Sequence, residues 1–183
     1  MTYVELIVVL SIFSVMSSIV LFNYARFQAK VDIKNLANDL ALKIVEAQKS
    51  ALSGKLPAQN PVPNWKPAYG LYFNTVNDNK SFIYFTDLNN NTLYEDPNCT
   101  GECLDKINIT KGNFISDITV TGQGGCSSIT GLSIVFTRPS SVAKINTNQA
   151  GCTSVSYAQI TISSPQSVTA IIKIYISGRI QIN

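Results

Sequence analysis

The 183-residue chain contains no histidine. Histidine is the commonest general base and a frequent metal ligand, so its absence excludes Ser-His-Asp and Cys-His catalysis and histidine-bound zinc. Charged residues are also scarce, at 14%, and lysine and arginine form no run. A net charge of +3 spread in this way does not indicate a nucleic-acid surface. No glycine-rich phosphate loop follows a predicted strand. We therefore expect neither an enzyme nor a nucleic-acid partner.

The first 24 residues, MTYVELIVVLSIFSVMSSIVLFNY, contain a single charged side chain, Glu5. As a helix they span about 36 Å, which exceeds the roughly 30 Å hydrocarbon core of a bilayer. An ionised carboxylate near the end of such a segment costs several kcal/mol unless it finds a partner. Glu5 is therefore a candidate functional residue, and the amine of a neighbouring copy of the chain is a suitable partner.

An amphipathic pattern continues this apolar segment without a break. Apolar residues recur at three- and four-residue steps, at Ile33, Leu36, Ala37, Leu40, Ile44, Ala47 and Ala51. Gly54 ends the pattern, and the prolines that follow prevent its resumption. The sequence thus predicts one helix over residues 1–54, of which 1–24 form a membrane segment or filament core and 25–54 pack on a globular head. A proline-rich connection follows over residues 55–67.

Residues 68–183 show the period of two that is typical of strands. The predicted strands are separated by clusters of Asn, Gly, Pro and Ser and cover residues 70–76, 81–87, 114–121, 132–137, 155–163, 168–176 and 179–183. In the sixth strand one face is formed by Val168, Ala170, Ile172, Ile174 and Ile176, and we expect it to pack on the helix. Trp65, set among prolines, is expected to anchor the connection. The predicted fold class is α+β, a long helix packed on an antiparallel β-sheet head.

The head also contains all four cysteines of the chain. An even number suggests two disulfides and a compartment outside the cytoplasm. Their positions favour the pairs Cys99 with Cys103 and Cys126 with Cys152, and two other pairings stay open. A zinc site made of all four is disfavoured because neither pair has the CxxC spacing.

Residues 87–96 carry a pattern typical of a calcium loop. The candidate ligands are the side chains of Asp87, Asn89 and Asn91, the carbonyl of Leu93, and the carboxylate of Glu95 or Asp96. Two positions depart from the pattern, since Thr92 stands where such loops have glycine and Asn98 where they have a bidentate glutamate. The alternative is an Asn-rich hairpin loop whose side chains bond their own backbone. We thus expect either a calcium ion or no cofactor here.

The start of the chain resembles the mature N terminus of type IV pilins and type II secretion pseudopilins. The residues that carry this resemblance are Thr2, Glu5, Leu6, Val8, Val9 and Leu10. The stretches GLSIVFTRPS at 131–140 and SGRIQIN at the C terminus are similar to the GspH/FimT-type branch, whose heads are β-sheets packed on the helix. The resemblance implies the type IV pilin fold. Many type IV pilins have Gly and Pro where this chain has Ser14 and Phe22, so we expect a more continuous helix.

The resemblance also implies a function. In the family a prepilin peptidase removes a basic leader, the new N-terminal amine is methylated, and the glutamate pairs with the amine of an adjacent subunit. This implies processing and methylation at Met1 and assembly through Thr2 and Glu5. No basic segment precedes the apolar run, which fits a leader already removed.

The expected protein is thus a structural filament subunit whose partners are copies of itself, the prepilin peptidase and an assembly platform. It would lie in the inner membrane before assembly and then in an extracellular pilus used for adhesion or motility. Two alternatives stay open. One is a minor pseudopilin of a secretion or DNA-uptake machine, and the other is a membrane-anchored surface-binding protein that does not polymerise.

Overall fold

The residues that the structure describes form a single helix and nine strands. The computed structural model describes residues 2–57, 61–96, 98–123, 126, 129–147 and 152–183. Its elements are α1 (Tyr3–Ser53), β1 (Ala68–Asn74), β2 (Ser81–Thr86), β3 (Cys103–Asn108), β4 (Phe114–Gln123), β5 (Gly131–Thr137), β6 (Ala143–Thr147), β7 (Thr153–Ser163), β8 (Thr169–Tyr175) and β9 (Ile180–Ile182). The strands form an antiparallel five-stranded sheet A, in the order β3-β2-β1-β5-β6, and an antiparallel four-stranded sheet B, in the order β4-β7-β8-β9. The fold class is α+β, as the sequence predicts.

Helix α1 begins after Thr2 and ends at Gly54, the position at which the sequence predicts its end. Gly54 has a left-handed backbone with φ of 69°, and its N–H donates to the carbonyl of Ala51 at 3.1 Å. Glycine adopts this conformation without the steric cost that other residues incur. A Cβ atom there would also lie 2.8 Å from the guanidinium of Arg138, whose flexible side chain would have to shift.

One hydrophobic core joins the helix to both sheets. From the helix it takes the buried residues Ile33, Ala37, Leu40, Ile44, Ala47 and Ala51, which belong to the predicted stripe. From β8 it takes Ala170, Ile172 and Ile174, also as predicted, whereas Ile176 lies beyond the end of the strand and is 45% exposed. Each sheet turns an apolar face towards the helix, and the helix lies against both of these faces.

Polar contacts fix the helix on the head along its docked half. The hydroxyl of Tyr84 donates to Oγ of Ser50 at 3.0 Å, and the side chain of Gln48 donates to the carbonyl of Ser141 at 3.0 Å. Near the point where the helix leaves the head, Nζ of Lys111 lies 2.6 Å from Asp32. This ammonium group holds the pKa of the Asp32 carboxyl below its ordinary value.

Strands β3 and β6 are not in the sequence-based prediction. Both are edge strands of sheet A and are short, and both carry exposed charge, as at Asp105, Lys106 and Lys144. Charged residues on short edge strands keep sheets from pairing with other chains, and they also weaken the alternation of apolar residues. Their pairing with β2 and β5 makes these segments strands. The predicted β-sheet head therefore consists of two sheets.

Residues 61–67 of the connection are held by Trp65. Its indole N–H donates to the carbonyl of Asp87 at 2.6 Å, and its ring meets that of Tyr69 edge-on at 6.3 Å. The N–H of Val62 donates to the carbonyl of Leu88 at 3.2 Å. Trp65 thus occupies the anchoring position that the sequence predicts.

The docked face of α1 yields a first prediction. Leu40 is fully buried, whereas Leu42, two residues further along the same helix, is 66% exposed. Leu40→Ala should lower the free energy of unfolding by about 2–5 kcal/mol, because it removes buried methyl groups and leaves a cavity. The measurement is thermal unfolding of the full chain in detergent micelles, followed by near-UV circular dichroism.

Leu42→Ala is the matched control, since it makes the same chemical change on the exposed side of the helix. It should change the unfolding temperature by a small fraction of the Leu40→Ala effect. Equal losses for the two variants would show that the stripe is not the docking face.

Candidate functional site

Residues 3–28 of α1 form an exposed apolar surface, here called the apolar half of the helix. Of the side chains that the structure describes there, the large apolar ones expose between 48% and 79% of their area, and the first buried one along the helix is Ala29. At about 1.5 Å per residue it measures roughly 39 Å. Helix α1 is long and apolar enough to cross a membrane, so it could anchor the chain there. An apolar surface of this extent is covered by lipid or by other protein.

Thr2 and Glu5 form a capping box at the start of this helix. The Thr2 hydroxyl accepts a hydrogen bond from the Glu5 N–H at 3.4 Å, and the Thr2 N–H donates to the Glu5 carboxylate at 3.4 Å. A capping box satisfies two of the N–H groups that a helix leaves free at its start. A neutral N–H donor does not neutralise the carboxylate, which stays exposed and can pair with a cation. The predicted processing and methylation site, Met1, lies outside the described residues.

A second exposed apolar surface lies where the docked half of the helix meets the C-terminal strand. Leu42 and Val45 of α1, together with Ile180 and Ile182 of β9, line a groove of about 480 Å³. The sequence-based stripe leaves this surface out, because Leu42 lies off the face that packs on the sheets. The local sequence pattern does not reveal this groove, because its two sides, α1 and β9, come together only in the folded chain.

The loop of residues 87–102 contains the predicted calcium ligands. Asp87 is fully buried, and its carboxylate accepts hydrogen bonds from the N–H groups of Asn91 at 3.1 Å and Thr92 at 2.8 Å. The side-chain oxygen of Asn89 accepts from the Asn91 N–H, and that of Asn91 from the Leu93 N–H. Burial raises the pKa of the Asp87 carboxyl. The loop thus has the self-bonded geometry of the alternative interpretation.

The two remaining predicted ligands, Glu95 and Asp96, lie in different surroundings. The Asp96 carboxylate accepts from the Gly101 N–H at 2.6 Å and from the Thr100 hydroxyl at 3.3 Å, and Glu95 is exposed. In the part of the chain that the structure describes, no three Asp, Glu, Cys or His residues are grouped so that they could hold a metal. Calcium binding by this loop stays a prediction, for which the described side chains show no preformed cluster.

The loop instead covers the outer face of sheet A. The ring of Tyr94 lies 5.0 Å from that of Tyr72 and 5.1 Å from that of Phe85. The Tyr94 N–H donates to the hydroxyl of Ser133 at 3.3 Å, and the Asn146 side chain donates to the carbonyl of Thr92 at 3.1 Å. A second small core, of Ala68, Phe85 and Val135, lies on this side of the sheet. A single aromatic residue within a polar loop was the available sequence signal for this packing.

Glu102 is a buried carboxylate that the sequence-based reasoning missed. It is 9% exposed, and its Oε1 accepts from the Leu88 N–H at 3.2 Å. Its Oε2 is buried and has no hydrogen-bond partner within the described segments. Burial raises the pKa of the Glu102 carboxyl, and the nearby charge of Asp87 raises it further.

Both disulfides favoured by the cysteine positions are present. Cys99 is bonded to Cys103, and Cys126 is bonded to Cys152. The first closes the end of the 87–102 loop at the start of β3. The second connects the segment before β5 with the segment before β7, 26 residues apart.

Comparison with known proteins does not assign this chain to a family. No protein-family model, no curated protein and no solved structure matches it. The exposed apolar helix, its capped start with Glu5 and the disulfide-bonded head are therefore the features from which a function can be inferred.

The two disulfides should differ in their contribution to stability. In the chain-entropy model a bridge that closes about 27 residues contributes roughly 3–4 kcal/mol, and one that closes about 5 residues roughly 2 kcal/mol. The double variant Cys126→Ala/Cys152→Ala should therefore unfold at a lower denaturant concentration than Cys99→Ala/Cys103→Ala. Urea unfolding of the full chain in micelles measures the difference. The reverse order would contradict the loop-length argument.

The buried Glu102 predicts a dependence of stability on pH. Its pKa is raised in the folded state, so the favourable contribution of its protonated form is present below the unfolded pKa of about 4.3. That contribution is lost as the pH rises through the folded pKa. Glu102→Gln cannot ionise, so its unfolding temperature relative to the wild type should increase between pH 4 and pH 8, by about 2–4 °C for each kcal/mol.

Asp105→Asn on β3 is the control, because this carboxylate is exposed and is not among the charges that raise the pKa of Glu102. Its effect on the unfolding temperature should be the same at both pH values. A Glu102→Gln effect that does not change with pH would show that the wild-type carboxyl is not perturbed in the fold.

Proposed function

We propose that this chain is a structural subunit of a type IV pilus-type filament and that its architecture is the type IV pilin fold. The observation that supports this proposal most directly is the apolar half of α1, which exposes large apolar side chains on all sides. Glu5 is the one charged side chain among the first 24 residues. Before assembly, lipid of the inner membrane covers this surface. In the filament, the helices of other copies cover it. Because both surroundings are apolar, the hydrophobic effect does not favour either one, and the packing of helix against helix favours the filament over the membrane.

Glu5 has a specific task in this proposal. In apolar surroundings a carboxylate and an ammonium group attract each other far more strongly than in water. The Thr2 N–H occupies the Glu5 carboxylate in the single chain, and the N-terminal amine of a neighbouring copy then supplies the opposite charge during assembly. Each copy is thereby placed at a defined axial position relative to the next. Cleavage by a prepilin peptidase and methylation at Met1 belong to the same proposal.

The head supports an extracellular destination. Its two disulfides are typical of proteins outside the cytoplasm. The groove formed by Leu42, Val45, Ile180 and Ile182 is a further exposed apolar surface on the head, which the helix of another copy can cover. Adhesion or motility is the use of such a filament that we propose for this chain.

A plain membrane anchor explains less of the sequence. An anchor needs about 20 apolar residues, and a neutral Gln would complete the capping box as Glu5 does, so an anchor has no need of a charge that is costly inside that segment. A carboxylate that pairs two copies accounts for the position of Glu5. Glu5 therefore favours a polymerising subunit over a monomeric anchored protein.

Glu5→Gln tests the proposal directly. It keeps the size of the side chain and removes the charge that pairs the copies, so it should reduce sheared surface filaments by about tenfold or more. The measurement is electron microscopy of sheared surface material from the native cell, with mass spectrometry of its main band. The wild type should give long filaments made chiefly of this chain, with a methylated amine at Met1.

Glu46→Gln is the matched control, because it makes the same change at an exposed position of the same helix. Filament yield should stay at the wild-type level in this variant. Abundant filaments from Glu5→Gln, or wild-type chain found only in the membrane fraction, would overturn the proposal.

A further inference from the structure

A cleft of about 300 Å³ lies on the side of sheet A that the 87–102 loop covers. Strands β1 and β2 contribute Tyr72 and Ile83 to its lining, and the loop contributes Tyr94 and Glu95. We propose that this cleft binds an organic cation, specifically an ammonium or guanidinium group. This site lies on the head, away from the apolar half of α1, and goes beyond the filament function proposed above.

Two tyrosine rings provide the aromatic part of the site. The rings of Tyr72 and Tyr94 are 5.0 Å apart and inclined at 35°, and both side chains are half-buried. The face of an aromatic ring attracts a cation, and partial removal from water strengthens the attraction. The Tyr94 hydroxyl donates to the carbonyl of Asp96, which fixes the ring at the edge of the cleft.

The charged groups around the cleft leave an excess of negative charge. Lys106 is paired with Asp78 at 2.7 Å, so this ion pair is locally neutral. Glu95 is exposed, and its carboxylate has no hydrogen-bond donor or cation as partner among the residues described. Asp96 adds a second carboxylate to the lining. Burial, together with the charges of Asp96 and Glu102, raises the pKa of Tyr94 to about 12, so its phenol stays neutral.

The free polar groups suit a cation better than a sugar or an anion. The Asn74 side chain already donates to the Tyr72 hydroxyl, and its oxygen accepts from the N–H groups of Val76 and Asn77. Glu95, which is left unoccupied, can only accept hydrogen bonds when ionised. An ammonium or guanidinium group supplies donors and positive charge together, whereas an anion would be repelled.

Two sources could present this group, a small organic cation or a lysine or arginine side chain of a protein. The test uses the full chain in micelles, labelled with carbon-13 in its tyrosine rings. Tetramethylammonium chloride and the tripeptide Gly-Arg-Gly are titrated in parallel. Sodium chloride is the control for ionic strength, and methyl glucoside is the control for an uncharged ligand. Ring resonances of Tyr72 and Tyr94 report on the site by nuclear magnetic resonance.

Both organic cations should shift these resonances in a saturable way, and neither control compound should do so. Tighter binding of tetramethylammonium would indicate a small organic cation as the ligand, and tighter binding of Gly-Arg-Gly would indicate a protein side chain. Either result supports the site. Glu95→Gln should weaken binding by about two- to fivefold. Asp105→Asn, an exposed carboxylate on β3 outside the cleft, should leave binding unchanged.

Saturable shifts with methyl glucoside instead of the cations would overturn the proposal. So would cation binding that is equally strong in Glu95→Gln and wild type. Because the titration uses unassembled chain, its result does not depend on whether filaments form. A failed cation titration with intact filaments would reject the cleft alone.

Discussion

The burial of one face of α1 against two sheets is the contact on which the rest of the structure depends. Small residues on this face, Ala37, Ala47 and Ala51, are fully buried and let the helix backbone approach the strands. Leu40 and Ile44 fill the space between them. Each sheet has an apolar inner face that needs a cover, and the helix is common to both. Without the helix neither sheet could keep its inner face from water, so the docked half of α1 belongs to the core of the head.

Helix α1 is continuous, so it fixes the orientation of the apolar half relative to the head. It stays α-helical from Tyr3 to Ser53, and the ion pair between Lys111 and Asp32 holds it close to where it leaves the head. A continuous helix transmits orientation because its backbone hydrogen bonds leave little freedom to bend. The direction in which the apolar half projects is therefore set by the packing of the docked half. In the proposed filament, heads and helices would be placed by one rigid element.

Sequence reasoning finds the elements whose signals are local. The capping glycine and the helical period locate the end of α1, and alternation locates the buried strands. It misses β3 and β6, whose strand form comes from their neighbours. The 87–102 loop shows a different limit, because alternating Asp and Asn side chains suit both a calcium loop and a self-bonded loop. The burial of Asp87 and Glu102 and the packing of Tyr94 could not be read from this alternation, because they depend on residues far along the chain.

The two cores of the head have no side chain in common, although both rest on β1, β2 and β5. Side chains without shared contacts tend to contribute independently to stability. Substitutions in the 87–102 loop or on its side of sheet A can therefore accumulate without loosening the helix from the sheets. This separation would let the outer side of sheet A diverge in sequence between homologous chains while the contacts that hold α1 on the head stay the same.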